Sequence, residues 1–126
     1  MEFSQLYQEA KSVVHCWKLS DTAESGGVGA AILTEAGNVY RGVCIDTACS
    51  MGLCAEHAAA AAMITAGENV IQKVIAVDWE GKILPPCGRC REFLSQLSDK
   101  NLDAQVMVAE NTVVTLRELL PYDWRR

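Results

Sequence analysis

The sequence predicts an α/β protein: a three-layer α/β/α sandwich around a central mixed sheet of about five strands. Two observations predict this class. Apolar segments rich in β-branched residues alternate with segments whose apolar residues recur at helical spacing. A succession of strand, loop and helix also occurs twice, and such an order buries helices against the faces of a shared sheet.

The length and composition predict one domain, residues 1–126, because half of the 126 residues are hydrophobic and no repeat or linker divides them. A first amphipathic helix is predicted from Phe3 to Trp17. Strands are predicted at 28–34 and 39–46, and the Gly and Asn between them suit a tight hairpin turn.

The middle of the chain predicts two helices and a strand. An alanine-rich helix covers 54–66 before Gly67, a strand covers 70–78, and a helix covers 87–97 after Pro85-Pro86.

The end of the chain predicts a strand at 104–109, a short fifth strand at 113–114 and a helical turn at 116–120. The isolated aromatic residues Trp17 and Trp79 are expected in the core. Cys16 is expected to be a small buried residue.

Charge and hydropathy exclude several functions. The net charge is −5, and no basic cluster could track a phosphate backbone, so a polymeric nucleic-acid substrate is disfavoured. Neither a secretory leader nor a membrane span is evident, so a cytoplasmic location is predicted. In that compartment the six cysteines favour metal binding over disulfides.

Two motifs supply the residues of a metal site: Cys54-Ala55-Glu56 and Pro86-Cys87-Gly88-Arg89-Cys90. Cys87 and Cys90 lie one turn apart at a helix start, and Cys54 also begins a helix, so the three thiols predict a Zn²⁺ site. Three protein ligands leave the fourth position for water, which is typical of a hydrolytic site.

Glu56, in the first turn after Cys54, is predicted to be the proton shuttle for the attacking water. Three thiolates and Zn²⁺ carry a net formal charge of −1, which weakens the metal as a Lewis acid. His57 or Arg89 is expected to offset that charge. His57 could equally be a hydrogen-bonded interior histidine.

Two alternatives need no hydrolytic chemistry. Cys44 or Cys49 could supply a fourth thiolate, which would make the chain a non-enzymatic interaction module with a structural zinc. The Cys87–Cys90 pair could also be a redox motif, although it lacks the proline that thioredoxin-type motifs have between their cysteines.

The chain resembles the zinc-dependent cytidine deaminases of the small homotetrameric type, and also the blasticidin-S deaminases. The resemblance covers most of the chain and rests on the two zinc motifs and on two further segments: Val28-Gly29-Ala30-Ala31-Ile32-Leu33 and Leu116-Arg117-Glu118-Leu119-Leu120-Pro121. It implies hydrolytic deamination of a free cytosine nucleoside, a role in pyrimidine salvage, and a homotetramer with shared active sites. In such a tetramer a C-terminal aromatic residue, Trp124 or else Tyr122, reaches a neighbouring subunit's pocket.

The resemblance also implies substrate contacts from Cys44, Asp46, Ala55, Pro85 and Trp124. Cytidine deaminases usually have Asn-x-Glu where this chain has Cys44-Ile45-Asp46, and a thiol replaces an amide poorly. They usually have Phe-Pro where this chain has Gly26-Gly27, and Arg where it has His57. Cytidine or deoxycytidine is the expected substrate, with blasticidin S or another cytosine nucleoside analogue as the alternative.

Overall fold

A computed structural model describes residues 1–125. It has a mixed sheet of six strands with helices on both faces. The helices are α1 (Phe3–Lys11), α2 (Ala55–Thr65) and α3 (Gly88–Gln96). The strands are β1 (Trp17–Ser20), β2 (Ala23–Thr34), β3 (Val39–Thr47), β4 (Ile71–Asp78), β5 (Gln105–Ala109) and β6 (Thr112–Thr115).

The long strand β2 organises the sheet. It pairs antiparallel with β3 along one edge and with β4 along the other, while β1 continues the β4 edge beside residues 23–25. The β4–β5 pair is parallel, and β6 pairs antiparallel with β5. The predicted three-layer sandwich with a mixed sheet is therefore confirmed.

Each face of the sheet has its own hydrophobic core. Leu6 and Ala10 of α1 pack on one face with Ala31, Leu33, Ile75 and Val77. On the other face, α2 and α3 pack against alternate residues of the same strands, such as Ala30, Ile32 and Val74. The period-2 alternation of strand side chains allows both cores to share one sheet.

Gly42 brings α2 unusually close to β3. A Cβ at residue 42 would lie 2.3 Å from the backbone nitrogen of Ala59 and 2.6 Å from the Cβ of Ala58. Glycine in the strand and alanines in the helix are therefore both needed for this contact. The close packing of α2 on the sheet thus explains Ala58 and Ala59 of the alanine run, whereas Ala61 and Ala62 are exposed.

The N-terminal region differs from its prediction. The first helix ends at Lys11, not at Trp17, and Trp17 begins strand β1. Strand β2 begins at Ala23, before the predicted strand start at Val28. Hydrogen bonding between β1, β2 and β3 orders residues whose own pattern does not indicate a strand, which raises the strand number to six.

Three residues that were expected in the core, two in the N-terminal region and one after β4, are exposed. Trp17 and Trp79 have 54% and 64% of their surface accessible, and Cys16 is exposed as well. The apolar residues beyond Lys11 fit a helical spacing, which predicted a buried helix face that includes Trp17. Strand β1 forms there instead, and its residues are exposed.

In the described residues, no helix has both the length and the apolar character needed to span a bilayer.

We expect Gly42→Ala to destabilise the protein by about 1–3 kcal/mol, because the added methyl group overlaps the α2 backbone. Chemical denaturation of the variant and the unmodified protein measures this difference. Ala62→Ser, on the exposed face of α2, is the matched control and should stay within about 0.5 kcal/mol. Equal stability of Gly42→Ala and the control would contradict the close packing of α2 on β3.

Candidate active site

The N-termini of α2 and α3 meet on one face of the sheet. Cys54 is the N-cap residue of α2 and Cys87 is the N-cap residue of α3, both with extended backbones. Cys90 lies in the first turn of α3 and is fully buried. The positive ends of both helix dipoles therefore lie beside the three sulfurs, where they stabilise negative charge.

The sulfur separations fit a single zinc ion. The Sγ atom of Cys87 lies 3.6 Å from that of Cys54 and 3.6 Å from that of Cys90. Tetrahedral thiolates with Zn–S bonds of about 2.3 Å would have their sulfurs about 3.8 Å apart. All three cysteines are free thiols, so they remain available as ligands.

His57 is a fourth group at this position. Its Nδ1 atom lies 3.3 Å from Cys90 Sγ, and the ligand atoms of Cys54, His57 and Cys90 lie within 4.8 Å of one another. Its ring stacks on Phe93, with the centroids 4.1 Å apart. Proximity alone thus allows His57 as a ligand. The contacts of 3.6 Å from Cys87 Sγ to both other sulfurs favour a set of three thiols, in which His57 donates to the sulfur of Cys90 when Nδ1 carries the proton.

Burial and hydrogen bonding shift the pKa values of the three thiols in different directions. Burial raises the pKa of Cys90 and of Cys54. For Cys87, burial also raises the pKa, but hydrogen bonds to its sulfur have a larger opposite effect. These bonds come from the backbone and thiol of Cys90, from the Cys54 thiol and from the Arg89 backbone. The pKa of Cys87 is therefore lowered. The buried thiols need a nearby cation to ionise, which is the environment that a bound metal supplies.

Glu56 is the carboxyl group beside the thiols. It lies in the first turn of α2, and only 6% of its surface is accessible. Burial raises its pKa, and a hydrogen bond from its own backbone N–H opposes that shift only in part. A carboxyl group whose protonated form is favoured in this way is suited to accepting and returning a proton near neutral pH.

A cavity of about 490 Å³ opens above these groups, and Cys54, Glu56 and Cys87 line it. Its volume lies in the usual range for small-molecule sites. Four of the five predicted substrate contacts also line it: Cys44, Asp46, Ala55 and Pro85. The fifth, Trp124, lies outside the cavity of its own chain, where its Nε1–H donates to Glu92 Oε1 over 3.1 Å.

Cys44 and Asp46 form one unit on the cavity wall. The backbone N–H of Val28 donates to Cys44 Sγ over 3.3 Å, and the Cys44 thiol donates weakly to Asp46 Oδ2 over 3.8 Å. The hydroxyl of Ser25 donates to the backbone oxygen of Cys44 over 2.9 Å. Cys44 is therefore fixed in place, and the exposed Asp46 carboxylate is the acceptor that faces the cavity.

These contacts separate Cys44 from the zinc thiols, since its sulfur bonds the β2 backbone and Asp46. Cys49 is exposed on the turn after β3. Neither belongs to the group of adjacent sulfurs, so the predicted alternative of a fourth structural thiolate has no support from the geometry.

Arg89 lies between the two motif cysteines of α3 and lines the cavity. Its guanidinium donates to the backbone oxygen of Gly52 over 3.4 Å, which links the loop before Cys54 to α3. Burial lowers the pKa of His57, and the positive charge of Arg89 lowers it further, so His57 is neutral at pH 7. The formal positive charge near the thiols is therefore that of Arg89.

Sequence reasoning missed Trp79 as a cavity residue, because a single aromatic residue after an apolar strand usually belongs to the core. It also missed Ser50 and Thr47 in the cavity wall. The only available signal for Trp79 was its position at the end of a buried strand, where site residues are often found.

Comparison with known proteins agrees with this site. A family model described as the cytidine and deoxycytidylate deaminase zinc-binding region matches residues 4–106. The cytidine deaminase of Halalkalibacterium halodurans is 34% identical over 98 residues, which is 75% of this chain and 74% of that protein. The blasticidin-S deaminase of Bacillus cereus is 29% identical over 111 residues, covering 79% of this chain and 77% of that one.

Solved structures show the same likeness. The crystal structure of cytidine deaminase from Mycobacterium tuberculosis superposes with a TM-score of 0.82 at 27% identity, and the match covers 98% of both chains. The fold and the thiol site thus define a zinc-dependent deaminase. Because the family model matches most of its length, the chain belongs to the cytidine and deoxycytidylate deaminase family.

We expect cobalt substitution to distinguish the two possible ligand sets. With Cys54, Cys87 and Cys90 as ligands, Cys87→Ser should lower the thiolate-to-cobalt charge-transfer absorption by about one third, whereas His57→Ala should leave it nearly unchanged. The opposite result, with the absorption intact in Cys87→Ser and the ligand field altered in His57→Ala, would identify His57 as a ligand.

Proposed function

We propose that this protein catalyses the zinc-dependent hydrolytic deamination of a free cytosine nucleoside, cytidine or deoxycytidine, to the uracil nucleoside and ammonia. The observation that carries the proposal is the buried Glu56 carboxyl group beside three adjacent thiols at a cavity of nucleoside-compatible size. The family relationship supports the same reaction.

Cys54, Cys87 and Cys90 hold the zinc in this proposal. When bound, zinc supplies a Lewis acid that brings the pKa of water near neutrality. Glu56 accepts a proton from the attacking water and donates it to N3 of the pyrimidine as the oxygen adds to C4. The same carboxyl group then moves a proton to the departing amino group, so that ammonia leaves and the ring becomes uracil.

His57 and Arg89 tune the metal site. His57 is neutral and withdraws charge from Cys90 through the Nδ1–Sγ hydrogen bond of 3.3 Å. Arg89 adds positive charge beside Cys87 and Cys90. These contacts, with the two helix N-termini, offset part of the negative charge of three thiolates.

Asp46 is the residue we assign to the sugar hydroxyls, because its carboxylate is exposed and lines the cavity. Cys44 supports it through the contact of 3.8 Å. Ala55 and Pro85 form apolar wall near the thiols, where the flat pyrimidine has to fit. These assignments make Asp46 the main polar group for the sugar.

The charge of −5 favours free nucleosides over nucleic-acid polymers, because a polymer needs a basic channel. A cytoplasmic enzyme of pyrimidine salvage, built as one domain over residues 1–126, is consistent with such a substrate.

A second candidate substrate is blasticidin S or another cytosine nucleoside analogue. Two observations favour it: Cys44 replaces the amide that cytidine deaminases usually have, and the chain is 29% identical to the Bacillus cereus blasticidin-S deaminase. The chemistry at Glu56 is the same in both cases, so only the sugar side of the cavity would differ.

We also propose a homotetramer in which Trp124 completes a neighbour's site. Trp124 and Tyr122 have 72% and 98% of their surface accessible in the single chain. The Trp124 ring is held by Glu92 and lies 5.6 Å from the guanidinium of Arg125. An ordered, exposed aromatic residue of this kind is suited to an interface between subunits.

We expect Glu56→Gln to lower cytidine deamination at least about 100-fold, since the amide cannot carry the proton between water and N3. The loss of the cytosine absorption band measures turnover, and metal analysis checks that zinc stays bound. Glu35→Gln is the matched control, because Glu35 is an exposed carboxylate whose nearest cation, Lys100 Nζ, is 3.9 Å away.

Full activity of zinc-loaded Glu56→Gln would contradict the role of Glu56. If the unmodified, zinc-loaded protein leaves cytidine and deoxycytidine intact but converts blasticidin S, the second candidate replaces the first.

Subunit mixing tests the shared site. We expect Glu56→Gln chains and Trp124→Ala chains, each nearly inactive alone, to regain activity when exchanged into mixed tetramers, because intact Glu56 then meets a neighbour's intact Trp124. Sedimentation should give the mass of four chains. A monomer of full activity, or mixtures no more active than the sum of the two variants, would contradict the shared site.

A further inference from the structure

Trp79 is an exposed aromatic residue at the active-site cavity, and the proposed mechanism gives this residue no role. It directly follows β4, and 64% of its surface is accessible. It lines the same cavity as Cys54, Glu56 and Cys87. A large apolar side chain left in water at such a cavity costs free energy that a bound ligand would recover by covering it.

The position of Trp79 is fixed by the turn that contains it. Asp78 Oδ1 accepts hydrogen bonds of 2.9 Å from the backbone N–H groups of Glu80 and Lys82. The backbone N–H of Gly81 donates to the oxygen of Asp78 over 3.0 Å, and the N–H of Asp78 donates to the oxygen of Lys82 over 2.9 Å. Four hydrogen bonds therefore order the turn backbone around Trp79, which fixes the point on the cavity rim from which its indole extends.

Gly27 of β2 keeps the space beside this indole open. A Cβ on residue 27 would lie 3.8 Å from Cε3 of Trp79, at ordinary contact distance. Gly27 also lines the cavity, as does Asp46, the residue assigned to the sugar. A side chain larger than a methyl group at residue 27 would therefore extend against the indole and compete with a ligand for that face.

We propose that Trp79 is a substrate-binding residue whose indole packs against the nucleoside in the cavity, and that Gly27 leaves the room for that contact. The inference rests on the proposed deamination, because the ligand it names is the substrate of that reaction. Trp79 has no group that could move a proton in the chemistry, so its contribution is to binding. The apolar contact is equally available before and during the reaction.

A contact that binds the substrate and the transition state equally well changes KM and leaves kcat nearly unchanged. Loss of one aromatic contact to a nucleoside costs roughly 5- to 100-fold in affinity. We therefore expect Trp79→Ala to raise the KM for cytidine about tenfold or more while kcat stays within about twofold. Trp79→Phe, which retains a flat apolar ring, should restore most of the affinity.

The experiment compares steady-state deamination of cytidine by the zinc-loaded full chain, Trp79→Ala and Trp79→Phe. Trp17→Phe is the matched control, because Trp17 is also exposed, at 54%, but does not line this cavity. Sedimentation of every variant reports whether the assembly is unchanged. Zinc-loaded Glu56→Gln is also titrated with cytidine and followed by tryptophan fluorescence. Adding Trp79→Phe should remove part of the signal and leave the part contributed by Trp124, whereas adding Trp17→Phe should leave the signal unchanged.

The outcomes separate this proposal from the proposed function. Turnover by the unmodified protein with an unchanged KM in Trp79→Ala, or an undiminished fluorescence signal in the Trp79→Phe background, would overturn the role of Trp79 and leave the deaminase assignment intact. A KM increase that accompanies a change in assembly mass would make Trp79 an interface residue and would also overturn it. Absence of cytidine turnover by the unmodified protein would overturn both.

Discussion

The contact of α2 and α3 with one face of the sheet is the constraint on which the site depends. Each helix begins with a cysteine, Cys54 or Cys87, so the placement of the helices fixes the distance between the sulfurs. Gly42 with Ala58 and Ala59 sets how closely α2 approaches β3. The three thiols and Glu56 are therefore positioned by helix packing, which holds side chains more precisely than a loop does.

Burial has two opposite consequences for this site: it suits Glu56 to proton transfer, and it disfavours the ionised thiols that a metal needs. The same low-polarity surroundings raise the pKa of Glu56, of Cys54 and of Cys90, so they favour a proton on the acid and oppose ionised thiols. Zinc reverses that balance for the thiols because its charge stabilises the thiolates, while Glu56 remains free to exchange a proton. The metal and the helix N-termini thus determine which of the neighbouring groups ionise.

The layer architecture was predicted from the sequence. The three thiols proposed as ligands, Cys54, Cys87 and Cys90, lie next to one another in the structure, and their positions depend on local signals: helix starts, a pair of prolines and one-turn spacing. The sequence did not predict β1 or the exposure of Trp79. Strand β1 depends on pairing with residues 23–25 of β2, which follow it directly, and Trp79 lies just beyond the pairing of β2 with β4. Neither arrangement leaves a periodic pattern in the chain. The contact of His57 with Cys90 likewise joins two helices and had no local signal beyond proximity to Glu56.

The chemistry of the site and its choice of substrate arise from different parts of the fold. The thiols and Glu56 lie at helix N-termini, where a few fixed spacings suffice for hydrolysis of an amino group. In the proposed function, the sugar side is formed by strand ends, where Asp46 is supported by Cys44 and where Gly27 lies beside Trp79. These residues belong to strands and to the turn after β4, not to the helix starts that hold the thiols and Glu56, so they can change without moving the catalytic groups. On that proposal, a single catalytic arrangement serves different nucleosides, and the wall that β2, β3 and the end of β4 provide selects the substrate.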